Sequence, residues 1–454
     1  MYGCDASPIC DAAELQGALD GAHPGDRVTV GACRIEGSFQ VPAGVILAGQ
    51  GPETSTLAAA EALATALDVT PGTVGQPTRI EGLSVEHDGG FAIRAADVGE
   101  LEVRDVVICS ARGVGLGIEG LDRLLLEDIG LEGPITASSA SMLGDLYDAT
   151  DTATFGVALF SVGDAQLRRV SIVGYGEAGL VASRSTLSWT DGSSDVNLGV
   201  GIRLERTTAT LTNVSARNTL RGFRGVPSYG VFSSNSAVTT TNMVVSDSQQ
   251  GFGLIHVGGD VTHANLVAND NGGAGLLAQE MDSFSMEGTT TQLMRNEFAG
   301  VLVLDSPAAE LRDLTVESTA LVMGLPTGFE TVMMGDGVQL VRSDGSRVTD
   351  AILRNNERVG VLADLAGGST SSLTLSNVTV EGTGTQLGAV VQNGTAEPGW
   401  DGTVTRLGAT LTNDLAFTGG LDISNVVGPG DFPPAGPLMR AETEGIDGIV
   451  APCD

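Results

Sequence analysis

The feature that most constrains this chain is a repeat. Asp or Asn precedes an apolar-x-apolar triplet again and again, in "RDVVI" at Asp105, "EDIGL" at Asp128, "TNVSA" at Asn213, "TNMVV" at Asn242 and "ANLVA" at Asn265. The series continues in "RDLTV" at Asp313, "TDAIL" at Asp350 and "SNVTV" at Asn377. Arg169, Asp191 and Gly288 hold the same slot less typically. After each slot a glycine opens a second apolar stretch: Gly115, Gly156, Gly179, Gly201, Gly230, Gly253, Gly275, Gly300, Gly337, Gly360 and Gly388. From glycine to the next slot is mostly 11 to 13 residues, and from slot to glycine usually 10 to 12, a period of 22 to 23. A fixed period of this size is the signature of a repeat architecture, which each unit completes by stacking on its neighbours.

Within a period the apolar residues alternate with period two, as in "VTVEG" and "LTLSN", and helical spacing is absent from the repeats. A leucine-rich repeat shares the period, but its Leu-x-x-Leu-x-Leu frame is missing. Short strands between Gly and Asn/Asp corners predict a parallel β-helix of about a dozen coils. Asn and Asp suit the corners because they tolerate left-handed backbone, and their side chains can ladder from coil to coil. A solenoid grows by adding coils, so 454 residues with 64 glycines and 4% aromatics are read as one continuous domain. Its parts are a cap helix and first coils over 1–78, a body over 79–425 and a proline-rich cap or tail over 426–454.

An open solenoid end exposes apolar side chains and strand edges, and needs a cap. Asp11 and Glu14 form a capping-box variant, Leu15, Ala18, Leu19 and Ala22 share one face, and Pro24-Gly25 ends the helix. The stretch from Leu15 to Gly51 resembles the entry segment of right-handed parallel β-helix proteins of the pectin-lyase-like superfamily. Leu15, Pro24, Gly25, Asp26, Leu47, Gly49 and Gly51 carry the likeness, and the coils from Arg79 to about Asn425 resemble the same superfamily. The resemblance implies the fold: all-β, right-handed parallel β-helix with a short N-terminal capping helix. It does not imply one activity, because the superfamily holds lyases, hydrolases, epimerases, tailspikes and surface proteins without chemistry. The Asn-Thr-Asp, Asp-Asp, Gly-His-Gly and Arg-Ile-Lys motifs of its polygalacturonases do not occur here.

The formal net charge is −33, and all 23 cationic residues are arginine. So acidic a surface repels phosphate backbones, which argues against a nucleic-acid partner. No apolar run reaches the length of a membrane span. Among five cysteines, Cys10 and Cys33 flank the cap helix and first strand, where a disulfide would staple cap to coil and suit an extracellular or cell-envelope location. Cys4 in "YGCD" reads either as a lipid-anchored residue or as a bridge partner, Cys453 as a tie for the tail, and Cys109 as a core residue.

Three insertions enter one corner, between the slot and the glycine: Asp128 to Gly156, Asn213 to Gly230, and Asp313 to Gly337. Loops on one edge of a repeat array are where binding resides, while neutral drift at a tolerant corner is the plainer reading. Tyr175, Glu177, Asp195, Asn197, Arg221, Arg224 and Tyr229 gather at this corner in sequence. Glu177 and Asp195 could serve as acid and base on a polysaccharide, with the arginines and tyrosines binding it; the alternative is solvated turn residues. Asp145, Asp148 and Asp151 are the candidate calcium ligands, without the central glycine and closing glutamate of a calcium loop. The third insertion is apolar instead, with Met323, Leu325, Phe329, Met333 and Met334, and suits a protein partner or the barrel wall. The four histidines read as isolated and solvated. The expectation is therefore a non-catalytic exported or cell-surface scaffold that binds a carbohydrate or a surface protein through these loops, with no cofactor other than the calcium those aspartates could take. A lyase, hydrolase or epimerase of acidic polysaccharides is the alternative.

Overall fold

The computed structural model describes residues 8–59, 65–72, 75–135, 154–221, 228–249, 251–320, 322–323, 333–365, 372–382, 387–392, 395–396, 403–406, 409–412 and 415–418. The fold is a right-handed parallel β-helix, and a single α-helix, Ala12–Asp20, is found among the described residues. The described residues divide into two compact units, one up to Thr210 and the other from Leu211 onward.

In the first unit the cap forms as its residues dictate. Asp11 has extended backbone and its carboxylate accepts from Glu14 N–H at 2.9 Å. Leu15 and Leu19 are fully buried, while Ala18 and Ala22 are half-buried. Cys10 and Cys33 form the expected disulfide. The coils then pair in parallel, Arg27–Thr29 with Ile46–Ala48 and that strand with Arg79–Glu81, each inward residue stacking on its equivalent one coil on. Val85, Ile108 and Leu131 make one such inward column, and Val170, Ile129 and Val106 another. The second unit repeats the pattern, with Leu254, Leu276, Val301, Val338 and Val361 in one fully buried column.

The Asp/Asn slots are left-handed corners. Asp105, Asp128, Asp191 in the first unit and Asn213, Asn242, Asn265, Asp313, Asp350, Asn377 in the second all lie at φ between 49° and 58°. In the second unit the amides ladder as expected, Asn242 Nδ2 donating to Asn213 Oδ1 at 3.0 Å and Asn265 Nδ2 to Asn242 Oδ1 at 3.1 Å. Arg169 sits at φ 51° without an amide, and its guanidinium instead grips Asp128 through two bonds of 2.5 and 2.9 Å.

The glycine of each period has a different cause. A Cβ on Gly115 would come within 2.6 Å of the carbonyl of Gly156, and one on Gly275 within 2.8 Å of that of Gly300 and 2.7 Å of Asn296 Nδ2. The glycines stack in a column where the coil turns tightly, leaving no room for a methyl group on the inner side.

Candidate functional site

In each unit the corner between the Asp/Asn slot and the glycine is built from the inside. At several coils an asparagine turns inward after the strand, and its amide oxygen accepts from the backbone of the coil before it. In the second unit Ser248 N–H donates to Asn271 Oδ1, Asn271 N–H to Asn296 Oδ1 and Thr319 N–H to Asn356 Oδ1, at 3.1 to 3.2 Å. In the first unit Tyr175 N–H donates to Asn197 Oδ1 at 2.9 Å, while Asn197 Nδ2 donates to Ser194 Oγ at 3.0 Å. Further up that corner His87 Nε2 is 2.6 Å from Ser110 Oγ, which is 3.2 Å from the Tyr175 hydroxyl. His87 Nδ1 faces the carbonyl of Gly89 at 3.0 Å. That contact calls for Nδ1–H, so Nε2 is left to accept the serine proton. Burial holds the His87 imidazole below its ordinary range, outweighing the opposing effects of Gly89 and Asp88, and drives the Tyr175 hydroxyl above its own.

This places two of the candidate ligands inside. Tyr175 and Asn197 are fully buried and serve the corner, where the sequence suggested surface groups. Their Gly-rich surroundings, "GYGEAG" and "SSDVNLG", look alike for inward and outward side chains. Glu177 is exposed just past the turn, its N–H bonded to the Thr154 carbonyl at 3.0 Å. Asp195 is half-buried at the end of the strand before the turn, in register with Val173 and, through it, with Glu132. The two coil steps between Asp195 and Glu132 correspond to about 10 Å of backbone separation. Beside them Ser171 and Ser193 stack with their hydroxyls 3.1 Å apart, and Gly130 leaves the next position bare. The outer surface of this corner in the first unit is thus a patch of hydroxyls and carboxylates. Glu132, Ser171 and Ser193 were not singled out from the sequence.

In the second unit Arg221 is half-buried, as is Tyr229. Tyr229 lies against Phe232 and Phe252, at centroid distances of 6.0 and 6.5 Å, and burial raises its hydroxyl pKa. It belongs to an aromatic cluster with Phe298, which meets Phe252 edge-on at 6.3 Å. Arg224 and the calcium candidates Asp145, Asp148 and Asp151 lie outside the described residues. Among the described residues no group of three or more His, Cys, Asp or Glu side chains could hold a metal ion.

The third insertion is anchored by an antiparallel pair, Val322–Met323 against Met333–Met334; Leu325 and Phe329 lie outside the described residues. At its base Asp336 is fully buried and clamped by Arg358, whose Nε is 2.7 Å from Oδ1 and Nη2 2.5 Å from Oδ2. Arg358 N–H also donates to the Gly335 carbonyl at 2.9 Å. Burial pushes the Asp336 carboxyl upward, against the pull of the guanidinium.

Two expectations are corrected. Cys109 faces outward, half-exposed between Glu86 and Glu132, and is disulfide-bonded; it is not a core residue. Cys4 and Cys453 lie outside the described residues. His87, His256 and His263 are buried, and only His23 of the four histidines is solvated. Away from the corner, a pocket of about 180 Å³ lined by Gln76, Thr78, Val98, Glu100 and Asp122 contains none of the candidate residues.

No family description matches this chain, and no curated protein sequence does. Several solved structures do. The A-module of a mannuronan C-5 epimerase from Azotobacter vinelandii is 14% identical over 85% of this chain and 95% of that one, with a TM-score of 0.37. Tailspike protein 3 of bacteriophage CBA120 is 14% identical, with 83% of this chain and 59% of that one covered and a TM-score of 0.43. The pre-mature gene product 12 of bacteriophage phi29 is 11% identical, with 90% and 57% covered and a TM-score of 0.46. The chain spans under two thirds of the length of these two phage proteins. At such identities the likeness concerns the fold.

Proposed function

We propose that the protein is an exported, non-catalytic β-helix that binds a carbohydrate on the outer surface of its insertion-bearing corner. One observation carries this reading. The outward positions of the corner in the first unit bring together Ser171 and Ser193, whose hydroxyls bond each other, with Glu132, Asp195 and Glu177, while Tyr175, Asn197, Ser194 and Ser110 face inward and hold the turn. Two hydroxyls one coil apart, beside carboxylates two coils apart with Val173 between them, offer donors and acceptors to sugar hydroxyls. The net charge of −33 favours neutral or amino sugars over uronates. The disulfide Cys10–Cys33 supports an oxidising, extracytoplasmic location.

Catalysis on a polysaccharide is the second reading. It rests on Asp195, a half-buried carboxylate at the corner with Glu177 past the turn of the preceding coil. One experiment separates the two. The full chain, Glu177→Gln and Asp195→Asn are tested on an array of neutral, amino and uronate glycans, and for soluble products from the same polymers by mass spectrometry. Binding to a neutral or amino glycan without product, weakened at least tenfold by either substitution, supports the binding reading. Shortened, unsaturated or epimerised products that both substitutions abolish would replace it with the enzyme, and neither binding nor product would remove both.

A further inference from the structure

The interior of the second unit holds a polar relay that the surface reading does not use. His256 and His263 lie on the strand Phe252–Ala264, which turns a corner at Gly258 and Gly259, with φ of 68° and 88°. The turn brings both rings into the interior, where their Nε2 atoms are 3.1 Å apart and their centroids 5.0 Å apart. Each ring is held from the coil before. His256 Nδ1 is 2.6 Å from Ser233 Oγ, and His263 Nδ1 is 2.7 Å from Thr240 Oγ1. Both imidazoles are fully buried. The coil after presents Ala278 opposite His256 and Met286 opposite His263, and Phe284 meets His263 edge-on at 6.2 Å. None of these facing groups, Ser233, Thr240, Ala278, Met286 or Phe284, carries a charge.

A neutral relay satisfies every ring nitrogen. One imidazole donates Nε2–H to the other's Nε2 and accepts the hydroxyl proton at Nδ1; the other donates Nδ1–H to its hydroxyl. One extra proton places a cation in an apolar interior without a counter-ion. A second makes two N–H groups face each other across 3.1 Å. We propose that this relay is an acid-sensitive latch, holding the coils from Tyr229 to Glu287 closed while both rings are neutral and opening them when acidification protonates the pair.

The direction of the effect follows from burial. Desolvation holds His256 well below the ordinary histidine range, with His263 adding repulsion, and desolvation lowers His263 to about 3. In the unfolded chain both titrate near 6.5. The stability contributed by the neutral rings is therefore complete above about pH 6.5 and is lost as pH falls toward the folded-state values. Each ring raises the opening constant about tenfold per pH unit, and the pair about a hundredfold. Carboxylates titrate near 4 in the unfolded chain, so the window from pH 5 to 6.5 isolates the histidines.

The test is hydrogen exchange of the full chain by mass spectrometry at pH 7.5, 6.5 and 5.5, corrected for intrinsic exchange. Peptides from 229–287 should open about a hundredfold more per pH unit below 6.5, and a His256→Gln, His263→Gln double substitution should flatten that dependence. Equal opening at pH 7.5 and 5.5, or an acid response retained in the double substitution, overturns the proposal. Should the double substitution fail to fold, imidazole C2 exchange in the unaltered chain decides. Two rings still neutral at pH 5 support the latch, and a ring titrating near 6.5 overturns it.

Discussion

At the residue scale the repeat has two origins that look alike in sequence. The Asp/Asn slot reflects backbone conformation, and its residue types show it directly: left-handed backbone favours short polar side chains. The glycine reflects space. A Cβ at Gly300 would sit 2.1 Å from Val316 Cγ1 and 2.7 Å from the Gly337 carbonyl, so Gly300→Ala should cost about 3 kcal/mol in urea unfolding. Gly17, in the cap helix with open space around it, should respond oppositely, Gly17→Ala adding about 0.8 kcal/mol. Asn271 is different again. It caps Ser248 N–H and donates to Asn296 Oδ1 at 2.9 Å inside the corner. Asn271→Ala strands those groups and should cost about 2 kcal/mol by the same measurement. Other left-handed corners were illegible because Ser161, Arg184, Arg206 and Glu280 occupy them, residue types that do not announce such backbone.

At the scale of elements, the cap and the third insertion are each tied at the base. The Cys10–Cys33 bond closes a separation of 23 residues, and its reduction should lower stability by about 3 kcal/mol, read as a shift in the urea midpoint. The pairing was legible because both cysteines flank recognisable elements. The Asp336–Arg358 clamp was not, since the partners stand 22 residues apart and only coil stacking joins them. Arg358→Met leaves a buried carboxylate alone and should cost about 3–5 kcal/mol at pH 7. With its partner gone the carboxyl is raised further by burial, so that cost should shrink as pH falls and the group accepts a proton. Denaturation at pH 7 and pH 5 checks both parts.

At the scale of the molecule, charge is organised rather than spread. In the first unit Arg27, Glu81, Arg79, Glu102, Arg104, Glu127 and Arg169 alternate along one face, with neighbouring contacts of 2.6, 3.8, 2.9, 3.3, 2.9 and 3.1 Å. Parallel stacking would otherwise set like charges one coil apart, and alternation removes that repulsion. The net charge of −33 means that carboxylates outnumber arginines by that margin along the chain. Salt screens the long-range repulsion more effectively than these close pairs, so raising sodium chloride from 0.05 to 0.5 M, concentrations chosen to shorten the screening length severalfold, should raise the Tm. A falling Tm would mean that the ladder outweighs the repulsion.

What the sequence alone determined is periodic: the 22- to 23-residue coil, its left-handed corners and the capped entry. Each of these is a local preference repeated often enough to be read without knowing any long-range contact. The tertiary structure decided which side of the chain a corner residue faces. Tyr175, Asn197 and three of the four histidines turned inward, while Cys109 turned outward. A one-residue change in where a strand gives way to a turn reverses a side chain from surface to interior, and stacking against adjacent coils settles that choice.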